Sequence, residues 1–314
     1  MRGFLVKRIL MAIGVVLAIS AITFFVLNIV PGDPVRIMVG EMADDATVER
    51  IREQMGLNDP VLVQYGRWLS NMLQGDFGTS YTQSKPVVEL MGSSFLTTAR
   101  LAGCAYVFAL LMGLVVGVVA AVNHGRWIDR ALMALSILGI SAPVFWVAVI
   151  LQIVFALNLG WSPLSGIRTW QAFVLPVIAL GVRYAASIAR VTRTSMLDVL
   201  SQDFMRTAEA KGVRKWAVII RHGLRNALIP IITIAGTQLG EILTGSILIE
   251  SIFMMPGMGK LLLDAINARD LPLIQGGVMY IAIVCVVVYL IVDILYAVVD
   301  PRIRLGEEAT EYSI

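Results

Sequence analysis

Six long apolar runs punctuate this chain, and they constrain its fold more than any other feature. Residues 9–30, 101–122 and 131–161 contain no Asp, Glu, Lys or Arg. Residues 170–189 are interrupted only by Arg183, 226–249 only by Glu241, and 273–299 only by Asp293 near the end. A helix needs about 20 predominantly apolar residues to cross the hydrocarbon layer of a bilayer, and every run meets that length. A water-soluble domain averages about 25 % charged residues, whereas this chain has 15 % and a mean hydropathy of +0.80. The expected fold class is therefore an all-α membrane protein with six transmembrane helices.

The first run requires a separate decision, because a basic N-terminus before an apolar stretch also describes a secretory signal. Signal cores are about 7–15 residues long and end at a small-residue cleavage site. The 9–30 run is longer, and no such site precedes Pro31. It reads as an uncleaved first span. Cys104 and Cys285 lie far apart inside apolar runs and read as small hydrophobes, not as a disulfide framework or zinc site.

Six crossings place both termini on one side, and the basic residues choose that side. Arg2, Lys7 and Arg8 lie in the N-terminal tail, Arg126 and Arg130 in the 123–130 loop, and Arg302 and Arg304 in the 300–314 tail. The 190–225 loop alone has eight: Arg190, Arg193, Arg206, Lys211, Arg214, Lys215, Arg221 and Arg225. All of these fall on one side, which is then cytoplasmic. The opposite side receives the 31–96 insertion, with five Lys/Arg against nine Asp/Glu. The chain thus divides into an N-terminal tail with the first span (1–30), an outer helical insertion (31–96), a five-helix core (97–299) containing the 190–225 loop, and a cytoplasmic tail (300–314). The net charge of +3 gives no reason to expect nucleic acid. The bilayer is the partner that composition demands.

Local patterns add detail. In "DDATVERIREQMG", Val48, Ile51 and Met55 recur at helical spacing behind an Asp cap. In "DPVLVQYGRWLSNMLQG", Leu62, Tyr65, Leu69 and Met72 do the same, with Pro60 before and Gly75 after. These predict two amphipathic helices that cover the outer mouth of the bundle, as a structural cap or as a docking surface for a partner. Gly113 with Gly117, and Gly236 with Gly240, are small-xxx-small pairs that let helix backbones approach closely. Pro143 predicts a kink in the third span.

Catalytic patterns are missing from the sequence. There is no GxxxxGK[ST] phosphate loop, "PGMGK" at 256–260 lacks its spacing, and neither HExxH nor CxxC occurs. His124 and His222 stand too far from other ligands to suggest a metal centre. No catalytic or metal-binding residue is assigned, and transporters, channels and membrane scaffolds remain. The stretch "RTAEAKGVRKWAVIIRHGLRNALIP" at 206–230 departs from the surrounding apolar sequence. "SQDFMRTAEAK" predicts a short helix capped by Ser201 or Asp203 and stopped by Gly212, after which "KWAVIIRHGLRNALIP" leads into the fifth span. Phe204, Met205 and Ala208 give that helix an apolar strip, and such a strip on an exposed helix suits a groove in a partner.

This stretch resembles the cytoplasmic coupling loop of ABC-type import permeases, whose signature is EAA-x3-G. Ala208 and Gly212 match the second alanine and the glycine, Arg206 and Thr207 stand in place of the leading Glu-Ala, and Leu224 matches the leucine of the closing Ile-x-Leu-Pro, with the proline delayed to Pro230. "VPGDP" at 30–34, "GLNDPVLVQYGRWLSNMLQGDFGTSY" at 56–81, "ARVTRTSMLDVL" at 189–200, "RHGLRNALIP" at 221–230, "IESIFMMPGMG" at 249–259 and "DPRIR" at 300–304 resemble the peptide/nickel (dipeptide/oligopeptide) branch of these permeases, in the same order and over almost the whole chain. The resemblance implies a type I ABC importer permease fold with an outer insertion between helices 1 and 2, in a bacterial inner membrane. It implies a homologous second permease subunit, two cytoplasmic ATPase subunits that hold ATP and Mg, and an extracytoplasmic solute-binding protein. No cofactor is expected in this chain. Phe204, Met205, Ala208, Glu209 and Gly212 would form the ATPase-coupling element, and the cargo would be di- or oligopeptides or a related small solute, with nickel or a metal chelate as the alternative.

A different class, the ion-coupled secondary transporter, is suggested by Arg183, Glu241 and Asp293, because a charge at mid-span costs roughly 2.5–3.5 kcal/mol on insertion scales. Such transporters are built from inverted repeats, and the 31–96 insertion has no counterpart in the second half. Arg183 and Glu241 lie at similar expected depths. They read either as an interhelical pair or as groups lining the translocation path.

Overall fold

A computed structural model of the chain describes residues 2–29, 33–40, 43–167 and 169–299, with side chains omitted at 2, 4, 5 and 295–299. The 300–314 tail, with Arg302 and Arg304, and the first three residues of "VPGDP" lie outside the described residues. Among the described residues the regular elements are all helices, with a single isolated bridge between Thr79 and Pro86. The order is α1 (Arg2–Ile29), α2 (Pro34–Val39), α3 (Asp45–Gln54), α4 (Val61–Leu73), α5 (Val87–Val122), α6 (Trp127–Ser141), α7 (Val144–Leu151) with a π-helical extension (Gln152–Asn158), α8 (Gln171–Leu200), α9 (Asp203–Ala210), α10 (Lys215–Ala217), a second π-helical turn (Val218–Leu224), α11 (Arg225–Ile252), α12 (Met258–Asn267) and α13 (Leu271–Val299).

Five helical segments are long and apolar enough to cross a membrane: Val6–Ile29, Val87–Val122, Gln171–Leu200, Lys215–Ile252 and Leu271–Ile294. The remaining run, the third, at 131–161, is not one kinked helix. It breaks into α6 and α7, which meet at 106°. Proline explains the break: it has no N–H to donate, and its ring forces the residue before it out of helical geometry. Ala142 accordingly lies in the extended region at φ −70°, ψ 130°, and Pro143 begins the next helix as its cap.

Two compact units are present, one built from the segments up to Thr97 and Pro256–Leu290, the other from Thr98–Met255 with the residues from Ile291. In the first, Val87, Leu90 and Met91 of α5 pack with Met258, Ala265, Leu273 and Ile274. The insertion carries the expected helices. Asp44 caps α3 by accepting a hydrogen bond from the Thr47 N–H at 3.0 Å, and Val48 is buried. On α4, Met72 is buried and Tyr65 and Leu69 are half-buried, but Leu62 is 74 % exposed.

In the second unit α8 is central, packed by α5, α6, α7 and α11. Glycines set its contact with α5. A Cβ on Gly113 would stand 2.6 Å from Ile188 Cβ and 2.9 Å from the Ala185 carbonyl; on Gly117 it would stand 2.5 Å from Thr192 Cβ and 2.7 Å from the Ala189 carbonyl. Gly181 returns the approach, 2.9 Å from the Ala105 carbonyl by the same measure. The pairs advance together along both helices, so α5 and α8 run parallel. Against α11 the order reverses: Gly223 lies near Met196 while Gly245 lies near Leu180 and Tyr184, so those two helices are antiparallel.

Candidate functional site

α8 does not stop where the apolar run ends at Ala189. It continues as helix to Leu200, carrying Arg190 and Arg193, and Ser201 closes it by donating to the Asp198 carbonyl at 2.9 Å. After Gln202 the chain turns into α9. Neither Ser201 nor Asp203 caps this helix: Gln202 occupies the cap position without a side-chain hydrogen bond, and Asp203 sits in the first turn, where a negative charge suits the helix dipole. At the other end Gly212 takes φ +76°, a left-handed conformation that glycine adopts without a Cβ penalty, and its N–H donates to the Glu209 carbonyl at 2.9 Å. α10, the π-helical turn and α11 then form one continuous helical segment, Lys215–Ile252.

The five residues expected to couple do not share one face. Met205 is buried in the core of its own unit, where its methyl and that of Met196 would both lie within 3.4 Å of a Cβ at Gly223. It anchors α9 to α8 and to the π-helical turn. Ala208 and Val213 pack partly against the same core. Phe204, Glu209 and Gly212 remain exposed. Trp216 and Ile220, one helical turn apart and exposed by 65 % and 49 %, are further apolar residues at this end. The sequence signal for them was their spacing of four within a basic stretch. Arg206, Lys211, Arg214, Lys215 and Arg221 are all exposed.

Beside α9 in the chain, the extension of α8 is tied to the α5–α6 loop. Arg193 donates to both oxygens of Asp129, Nε to Oδ1 at 2.6 Å and Nη2 to Oδ2 at 2.8 Å. The Gly125 N–H donates to Asp129 Oδ2 at 3.0 Å, and His124 Nδ1 lies 3.1 Å from Arg193 Nη2. Arg193 is thus not merely one more basic residue of the 190–225 loop. The signal for this fork was Asp129 itself, the only acid in the 123–130 loop.

Arg183 and Glu241 are both exposed, and among the described residues no ion pair joins them. Each belongs to a polar stripe. On α8, Arg183, Ser187, Arg190 and Thr194 recur at intervals of four, three and four, and Ser187, Arg190 and Thr194 border a cleft of about 370 Å³. On α11, Thr233, Thr237, Glu241 and Thr244 recur at four, four and three, all exposed. The threonine hydroxyls donate to their own helix, Thr233 to the Ile229 carbonyl, Thr237 to Ile234 and Thr244 to Glu241, at 2.9–3.0 Å. Side chains that satisfy themselves this way leave a polar but undemanding surface.

A further carboxylate, just beyond the 226–249 apolar run, escaped the sequence reading. Glu250 is fully buried and accepts a hydrogen bond from Thr98 Oγ1 at 2.7 Å. It lies in "IESIFMMPGMG", where only the motif as a whole stood out. In the other unit, Asp270 is also fully buried. Its Oδ2 accepts from Ser80 Oγ at 2.6 Å, Thr82 Oγ1 at 2.8 Å and the Thr82 N–H at 3.1 Å, while Oδ1 faces the Leu273 N–H at 3.3 Å at the start of α13. Burial alone would raise its pKa, but these hydrogen bonds overcome it and hold the carboxyl below its ordinary range. Burial, helped by the charge of Asp270, pushes the neighbouring Tyr81 phenol up to about 12. The same unit contains a cleft of about 330 Å³ bordered by Arg67, Trp68, Asn71, Phe77, Tyr81 and Gln275. Among the described residues no three His, Cys, Asp or Glu side chains are grouped to hold a metal ion.

Comparison with known proteins places this arrangement. Residues 113–305 match the family described as binding-protein-dependent transport system inner membrane component, and residues 1–104 match the N-terminal family of the same membrane components. The glutathione transport system permease protein GsiC of Salmonella paratyphi A is 42 % identical over 304 residues, covering 97 % of this chain and 99 % of that protein. The Escherichia coli protein of the same name is 41 % identical over the same lengths. Among solved structures, a chain of the MetNI methionine ABC transporter in inward-facing conformations superposes with a TM-score of 0.56 at 18 % identity, covering 69 % of this chain and all of that one. A chain of an amino acid ABC transporter gives 0.51 at 18 % identity, over 68 % and 94 % of the two chains. These two likenesses establish the fold. The chain belongs to the family of binding-protein-dependent transport system inner membrane components, as a permease subunit of an ABC importer of the peptide/nickel type.

Proposed function

We propose that this chain, with a homologous second permease subunit, forms the path by which a bacterial importer moves di- or oligopeptides, or a small peptide-like solute, through the inner membrane. The observation that carries the cargo class is the similarity, over nearly the full length of both chains, to permeases named for glutathione, itself a tripeptide. Family membership sets the ion-coupled transporter aside. ATP and Mg belong to two cytoplasmic ATPase subunits, and an external binding protein delivers the solute.

In this reading α9 is the coupling element. Gly212 ends it sharply, Met205 fixes its root in the α8–α11 core, and Phe204, Ala208 and Glu209 meet the ATPase. Exposed basic residues around it agree with a cytoplasmic position. The mechanism is alternating access. Closure of the ATPases moves α9, the α8–α11 core moves with it, and the paired permeases open toward the loaded binding protein; hydrolysis reverses the change. The polar stripes on α8 and α11 face the path or the second permease, because Arg183 and Glu241 are costly against lipid.

The test is uptake of radiolabelled glutathione and dipeptides into proteoliposomes containing both permeases, the ATPases and the binding protein. ATP-dependent uptake of at least one of these peptides is expected, and uptake of none of them would overturn the cargo class. Gly212→Val places a β-branched residue in a left-handed conformation and should reduce uptake at least about tenfold, since such strain costs of order 1–3 kcal/mol and distorts the docked end. Membrane insertion should be unaffected. Normal uptake by that variant would remove α9 from the coupling role.

A further inference from the structure

The insertion helix α4 has three distinct faces. Tyr65 and Trp68 turn toward α1, and Met72 on the same face is buried. The Tyr65 ring lies 5.3 Å from Phe24 and 5.6 Å from Phe25, Trp68 lies 5.7 Å from Phe24, and the Tyr65 hydroxyl is 2.8 Å from Ser20 Oγ. Under these contacts Ser20 is fully buried and Phe24 nearly so. A second face carries Arg67 and Asn71, with Arg67 ion-paired to Asp59. The third carries Leu62, Gly66, Leu69 and Leu73 at intervals of four, three and four, with Leu62 and Leu73 exposed by 74 % and 79 %.

The depth of α4 follows from its partner. Ser20 is nine residues before Ile29, so it lies about 13 Å along the helix from that end. The apolar segment Val6–Ile29 is 24 residues, about 36 Å long, against a hydrocarbon layer of about 30 Å. With the segment centred, Ser20 is about 10 Å inside that layer. Phe24, touched by both α4 rings, is five residues from the end and still within it. A helix whose tyrosine bonds Ser20 and whose tryptophan stacks beside Phe24 cannot stand clear of the bilayer.

We propose that α4 is an interfacial membrane helix, lying in the leaflet at the C-terminal end of α1 with Leu62, Leu69 and Leu73 among the acyl chains. Arg67 and Asn71 face water, and Tyr65 and Trp68 reach inward along α1 to Ser20 and Phe24. This depends on α1 spanning the bilayer but not on the cargo or on which side is cytoplasmic. It narrows the role of the insertion: α4 is seated in lipid, and a binding protein meets other surfaces.

Single cysteines at Leu62, Leu73 and Asn71, in a protein whose Cys104 and Cys285 are replaced by alanine, can be spin-labelled in the assembled transporter in proteoliposomes. Collision rates with molecular oxygen, which concentrates in lipid, and with a water-soluble nickel chelate then report each site's surroundings. The oxygen-to-nickel ratio at Leu62→Cys and Leu73→Cys should exceed that at Asn71→Cys several-fold, with or without binding protein. A ratio at the leucine sites equal to that at Asn71 would put the stripe in water. Shielding from both reagents would put it under a protein. Either result overturns the proposal, and two leucine sites eleven residues apart keep the test readable if one label disturbs assembly.

Discussion

Met205 shows how one side chain changes the meaning of a motif. Phe204, Met205 and Ala208 read together as an apolar strip, and helical spacing alone does not say which of them belongs to the chain's own core. The answer depends on Met196 and Gly223, nine residues before and eighteen after, brought beside Met205 by the turn at Gln202 and the π-helical turn. That is a tertiary fact with no local signal. Gly212 was legible because the requirement is local: a helix end needs a left-handed residue and glycine supplies it. Arg183 and Glu241 were legible as charges within apolar runs but not as neighbours or strangers, since depth along two helices says nothing about rotation around them. Because no ion pair joins them, reversing both charges, Arg183→Glu with Glu241→Arg, should not restore the uptake lost in the single variants. Rescue to near the parental rate in the proteoliposome assay would show that the two side chains pair at some stage of the cycle.

At the scale of elements, the start of α13 depends on Asp270. The carboxylate holds the 80–82 segment and the first turn of α13 through side-chain and backbone donors, and its folded-state pKa lies below the ordinary 3.8. A depressed carboxyl pKa contributes stability that is fully present above the unfolded value and lost as pH falls through the folded one. Amide hydrogen exchange in residues 79–86 should therefore be slow and flat in protection from neutral pH down to about 4, then lose protection below it. Asp270→Asn should raise exchange at neutral pH and abolish the acid-dependent step; an unchanged step in that variant would assign it to another group. The amphipathic helices α3 and α4 were legible from period and caps; Gly113 and Gly117 marked a close helix approach but not α8 as the partner. The cap on α9 was not legible, because three adjacent residues, Ser201, Gln202 and Asp203, all suit a helix boundary and packing decides between them.

For the whole molecule, run length made the six apolar segments readable, whereas the grouping of α1 and the insertion with segments more than 150 residues later leaves no trace in local pattern. The third run was legible as apolar and as interrupted at Pro143, but its 106° turn depends on packing around α8. That turn bears on topology. If α6 and α7 together cross once, the termini lie on the same side; if they dip in and return, the termini lie on opposite sides. We expect one crossing. Green fluorescent protein fused to either terminus should fluoresce, and alkaline phosphatase inserted after residue 58 should be active. Because α5 and α8 run parallel, α6 and α7 must cross between them, and an active phosphatase at the C-terminus would overturn that single crossing.

The continuity of α8 has a mechanical consequence. Beyond Pro176, the proline within its second turn, the 24 residues to Leu200 make a rod of about 36 Å, with the Arg183 stripe along its shaft and the α9 turn at its tip. A beam of that kind has no joint in which to absorb a push. In the proposed mechanism, displacement applied at the tip appears along the shaft as tilt or roll, so the timing of a gate would be written into stiffness and not into any signal passed from one group to the next.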